Sequence, residues 1–121
     1  MGAEVRVKGL KLQREIFDFL QERGYLVFYE VKRCDLAFFS KNLEILYVVE
    51  VKNYRIPKNK MRKIVYRLNQ KKKQVAEHFR KLGFKFKQVV PILIARVFER
   101  RSRKVLCYAL EEFMNLLNKI G

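Results

Sequence analysis

The 121 residues, half of them hydrophobic, suffice for one core and exclude a disordered chain. Lys and Arg outnumber Asp and Glu 28 to 12, and the formal charge of +16 points to polyanionic partners, nucleic acid ahead of anionic membrane. Two cysteines and a single histidine, His78, exclude a standard four-ligand zinc site.

No apolar run reaches the roughly 18 residues of a membrane helix, and the N-terminus has no signal-peptide apolar stretch. The expectation is a cytoplasmic, intracellular protein with no membrane contact, in which Cys34 and Cys107 are reduced core thiols rather than a disulfide. From Lys8 to Arg23 the residues Leu12, Ile16, Phe17 and Leu20 recur at helical spacing, and Gly24 supplies the stop. Tyr25 to Lys32 is rich in β-branched and aromatic residues and reads as a strand. Cys34 to Asn53 reads as two further strands around a turn at Ser40-Lys41-Asn42. Asn53 to Pro57 is a loop, and Pro57 suits the first turn of a helix running to about Leu82. Met61, Ile64, Val65, Leu68, Val75, Phe79 and Leu82 form its apolar stripe, with Lys72 inside that stripe either snorkelling or reaching a charged site.

Gln88 to Phe98 is nearly continuously apolar, as expected of a strand buried on both faces, although Pro91 cannot donate to a ladder. A basic turn, Glu99 to Arg103, leads to a last strand, Lys104 to Ala109. Glu111 to Ile120 closes the chain as a helix with Phe113, Leu117 and Ile120 inward. The order αβββαββα predicts a mixed sheet with helices packed on it, an α/β chain of one domain over residues 1–121.

The hairpin holds the chemistry. Residues two apart on a strand share a face, so Glu50 and Lys52 point the same way. If the turn runs through Lys41 to Glu44, Ser40 pairs with Ile45 and Asp35 falls opposite Glu50; a two-residue turn shifts Asp35 two places on the same face. Directly opposed Cβ atoms lie about 4.5–5.5 Å apart. Two carboxylates that close repel one another, and a divalent cation would relieve the repulsion.

Asp35 followed by Glu50-Val51-Lys52 is the pattern D-x(n)-E-x-K, with a helix before it and a basic helix after it. Together these resemble the PD-(D/E)XK, or restriction-endonuclease-like, nuclease superfamily over roughly Gly9 to Ile94, and most closely the archaeal type of Holliday-junction resolvase. The resemblance implies an αβββαβ core, here with an extra strand and a C-terminal helix, and metal-dependent phosphodiester hydrolysis. It implies that Asp35 and Glu50 hold Mg²⁺ (Mn²⁺ as the alternative) with the backbone carbonyl of Val51. Lys52 would then orient the attacking hydroxide or stabilise the transition state.

Three positions depart from the family pattern or need assignment. Cys34 stands where the family's name places Pro. The acid that resolvases carry on the first helix falls at Gln13; Glu15 is the nearest acid but points away from the apolar arc. Glu30 on the first strand is a possible substitute. A Gln on the second helix falls at Gln74 or Gln70, and Gln74 borders the stripe.

Between Asn53 and Ala76 there is no acid, and Arg55, Lys58, Lys60, Arg62, Lys63, Arg67, Lys71, Lys72 and Lys73 form a basic stretch suited to phosphate contacts. Tyr54 and Tyr66 either stack on bases or pack beside the stripe. The Arg100 to Lys104 turn either touches backbone or is a solvated hairpin tip. The expected function is a metal-dependent DNA endonuclease, structure-specific and acting as a homodimer on branched DNA. The alternatives are a nuclease of nicking, flap or restriction type, and a nucleic-acid-binding module with a decayed site.

Overall fold

The computed structural model describes residues 2–120, with side chains for residues 11–119. The chain runs α1 (Gly2–Glu22), β1 (Val27–Val31), β2 (Cys34–Phe39), β3 (Ile45–Ile56), α2 (Lys58–Lys81), β4 (Gln88–Phe98), β5 (Leu106–Ala109) and α3 (Leu110–Ile120). The five strands form one mixed sheet in the order β1-β2-β3-β4-β5. Tight turns make β1·β2 and β2·β3 antiparallel, whereas the α2 crossover makes β3·β4 parallel. The expected αβββαββα order and mixed sheet are therefore what the chain forms.

Both sheet faces are buried, which explains the unbroken apolar runs in β3 and β4. Ala37, Phe39, Leu46, Val48, Leu93 and Ala95 meet the α2 residues Met61, Val65, Leu68, Val75 and Phe79. Leu36, Phe38, Val49, Val51, Ile92 and Ile94 meet Ile16 and Leu20 of α1 and Phe113 and Leu117 of α3. Cys34 and Cys107 are free and buried, as expected of core thiols.

The two hairpins differ in their turns. Val31 pairs with Cys34, leaving only Lys32 and Arg33 between the strands, with φ of 49° and 65°. Two left-handed residues are the geometry of a type I′ turn. The β2·β3 turn is the four-residue one, since Ser40 N–H donates to Ile45 O at 2.9 Å. The Ser40 hydroxyl accepts from Ile45 N–H (3.0 Å) and donates to Asn42 Oδ1 (2.7 Å), which also accepts from Glu44 N–H (3.0 Å). These side chains select the register that the sequence left open.

Five details correct the expectations. The stretch from Asn53, expected to be a loop, continues β3 as far as Ile56, which pairs with Phe98 of β4. Helix α1 begins at Gly2, ahead of Lys8. Leu82 is not part of the buried stripe; as the cap residue of α2 it is 61 % exposed. β5 begins at Leu106, later than Lys104. The segment Glu99 to Val105 is not a hairpin tip, because β5 runs parallel to β4, with Ile92 paired to Leu106. The chain turns back past the end of β4, buries Val105 on the α2 side of the sheet, and re-enters beside Ile92. Pro91 precedes the first β4·β5 pair, so it is on a part of β4 that β5 does not reach. The side chain of Ile120, expected to point inward, lies outside those described. Among the described residues no helix is long and apolar enough to cross a membrane.

Candidate active site

The β2·β3 register ends on the pair Leu36 and Val49, so the next step along the ladder sets Asp35 against Glu50. On β3 the alternation sends Val49 and Val51 toward α1 and α3, and Leu46 and Val48 toward α2. Glu50 and Lys52 share the second face. Glu50 is only 5 % exposed, and a buried carboxylate needs partners. It has them in two lysines, one on each oxygen. Lys52 Nζ lies 3.6 Å from Oε1, and Lys71 Nζ lies 2.9 Å from Oε2.

Asp35 is held from the backbone: Val51 N–H donates to its Oδ2 at 2.7 Å. Burial pushes the Asp35 carboxyl up to about 7, and the neighbouring Glu50 charge adds to the rise; the Val51 N–H works against it. Burial also pushes the Cys34 thiol up to about 12, with Glu50 again contributing. The single Cys34 S–H has two carbonyl acceptors within reach, Leu36 O (3.0 Å) and Val49 O (3.1 Å), and the buried thiol is an inert wall of the site.

The structure thus brings Asp35, Glu50, Lys52 and the Val51 backbone together. Lys71, expected on the phosphate-binding surface, joins them instead. It stands three residues after Leu68 and four before Val75, on the rim of the buried stripe, and that phase is the signal by which it could have been found. Lys72, the lysine expected to reach a charged site if any did, is half-buried and makes no ion pair among the described residues.

Other expected residues stand apart. Gln74 is exposed and lines a shallow cleft with Lys32, Glu77, His78 and Lys81. Glu15 is exposed and Gln13 is 9 % exposed, so the helical phase is as expected. Gln13 Oε1 is buried without a hydrogen-bond partner, and its helix packs on the Val49 and Val51 face. Glu30 falls between the pairs Tyr29–Leu36 and Val31–Cys34, in the same cross-strand row as Asp35. Its backbone is left-handed (φ 47°), and its side chain is exposed. Among the described residues no third acid, histidine or cysteine completes a cluster with Asp35 and Glu50.

Two carboxylates set across from one another nevertheless suit a hard divalent ion, which takes oxygen ligands, keeps several waters and is bound through one or two carboxylates. Comparison with family models, with curated proteins and with solved structures finds no match to this chain.

Proposed function

We propose that this protein is a Mg²⁺-dependent endonuclease, with Mn²⁺ as the alternative ion, that acts on branched DNA as a homodimer. The observation that carries the reading is that the β2·β3 register sets Asp35 across from the buried Glu50 beside Lys52, on two strands whose helices and order fit the αβββαβ core of the PD-(D/E)XK nucleases. Asp35 and Glu50 would hold the ion, with the Val51 carbonyl, and the bound ion supplies an acidified water and offsets charge on the phosphate. The Val51 N–H keeps the Asp35 carboxylate turned toward Glu50. Lys52, about a third exposed at its side chain, can leave Glu50 for a phosphate oxygen and stabilise the charge that develops there. Lys71, released from Glu50 Oε2, is a second cation for the same phosphate.

The decisive experiment incubates the protein with a four-way junction, a nicked duplex, a flap and a linear duplex, with and without Mg²⁺. Metal-dependent cleavage, strongest on the junction, is expected. A melting scan in EDTA and in Mg²⁺ accompanies it, because an ion bound by the folded state alone raises Tm. A second reading is a nucleic-acid-binding module with a decayed site. It is favoured by the lysine on each oxygen of Glu50 and by the absence of a third acid among the described residues. Equal binding of all four substrates with no cleavage would establish it.

A further inference from the structure

On the flank of α2 away from Glu50 lies an open groove of about 1130 Å³. One wall is the first half of α2, with Lys58, Arg62 and Lys63; the other is the Glu99–Val105 connection, with Arg100, Arg103 and Lys104. No acid lines it. Among the described residues Arg62, Lys63, Arg100, Arg103 and Lys104 have no carboxylate partner, and all five are exposed.

Like charges on two facing walls repel, so something must hold the walls in place. Arg101 does this on one side: its guanidinium forks onto the Glu112 carboxylate of α3 and donates to Cys107 O at 3.0 Å. The Ser102 hydroxyl accepts from Lys104 N–H at 3.0 Å, and Val105 is buried beneath. On the other side Glu99 ties the two walls together. Its Oε2 accepts from Lys58 N–H at 3.2 Å, satisfying one of the free donors at the start of α2, and its own N–H donates to Ile56 O at 3.1 Å. The nearby acids are thus used to build the groove, and its cations are left for an outside anion.

The geometry points to this groove as the seat of a nucleic-acid strand other than the one at the scissile phosphate, an inference that rests on the function proposed above. Lys71 and Arg62 are nine residues apart, about two and a half turns, so they project from opposite sides of α2. The carboxylate site and the groove are therefore separated by one helix, about 10–12 Å across. The major groove of B-form DNA is about 12 Å wide and admits a helix. With α2 seated there, one strand passes Glu50 and Lys52 while the phosphates of the complementary strand pass Arg62, Arg100 and Arg103.

The test measures duplex affinity in EDTA across salt concentrations for Arg100→Glu with Arg103→Glu, and for Arg100→Gln with Arg103→Gln. Lys85→Glu with Lys119→Glu is the control for the first pair and Lys85→Gln with Lys119→Gln for the second, each an equal charge change on exposed residues outside the groove. The groove pairs are expected to lose affinity by roughly tenfold per phosphate contact near 0.1 M salt and to flatten the log–log salt slope by about two. The controls should change each far less. Losses equal to the matched control's, or no loss in either groove pair at unchanged Tm, overturn the inference. Binding to phosphatidylserine vesicles that disappears in the groove pairs while duplex binding persists also overturns it, in favour of a membrane surface. Cleavage separates this inference from the reading beneath it. A wild-type protein that cuts nothing in Mg²⁺ while the groove pairs lose duplex affinity removes the nuclease and leaves the groove. An active nuclease whose groove pairs bind normally removes the groove alone.

Discussion

Glu50 is where most of the residue-scale physics meets. Its burial would be unfavourable without Lys52 and Lys71, and its charge helps keep the Asp35 proton on. If the pair is the metal site, Asp35→Asn, Glu50→Gln and Lys52→Ala should each lower cleavage by about 10²-fold or more. DNA affinity should change little if the exposed cations of α2 supply it; turnover near the wild-type rate in one of them would remove that residue from the site. Asp35 also makes a prediction about stability. Its folded carboxyl titrates near 7, above the usual unfolded value of about 3.9. The folded state then holds a proton that the unfolded state has lost, so this group's stabilisation is complete below about 4 and lost as pH rises through 7. In EDTA, Asp35→Asn should melt above the wild type at pH 8, with the difference closing toward pH 5; a lower melting point at pH 8 would contradict the assigned burial and repulsion. If Gln13 serves a metal at the site, Gln13→Glu should retain or raise cleavage whereas Glu15→Ala leaves it unchanged. A large loss in Glu15→Ala with normal melting would make Glu15, not Gln13, the residue of α1 that serves the site.

At the scale of elements, the first hairpin contains a local conflict. Lys32 and Arg33 both occupy left-handed backbone with no glycine or asparagine to ease it. Lys32→Asn with Arg33→Gly supplies the dipeptide that a type I′ turn prefers and should stabilise the protein by on the order of 1 kcal/mol. Chemical denaturation reads this directly, with cleavage expected to persist. The second hairpin shows the opposite case, where Ser40 and Asn42 satisfy the turn from within and thereby set Asp35 across from Glu50. Helix α2 has three separate sides: a stripe on the sheet, Lys71 on one flank and a basic groove on the other.

At the scale of the molecule, one chain of this kind offers one carboxylate pair and one basic helix. A two-fold dimer would present two of each over a broad surface, which suits two crossing duplexes better than a rod. The expected outcome is a homodimer by sedimentation that binds four-way junctions more tightly than linear duplex and cuts two opposed strands. Affinity for both should fall steeply with salt, while the preference for the junction, resting on shape and site spacing, should fall less. A monomer both free and on DNA, or equal affinity for junction and duplex of one length, would remove the junction specificity and leave the metal-dependent nuclease intact.

Several of these features follow from the sequence without tertiary information. Apolar period and glycine stops were enough for the element order, because burial on one or both faces leaves a direct trace in residue spacing. The shared face of Glu50 and Lys52 followed from the two-residue strand repeat alone. Other features depended on packing between distant segments. The choice of turn at Ser40, and with it the Asp35–Glu50 pairing, rested on side-chain bonds that strand propensity does not encode. The direction of β5 was hidden because a basic turn between two apolar runs reads the same whether the chain folds back as a hairpin or crosses over to a parallel neighbour. Lys71 was hidden among three consecutive lysines, where composition is identical and only the packing angle of α2 on the sheet decides which ammonium meets Glu50. That angle is set by residues far apart in the chain, so tertiary structure alone selects Lys71.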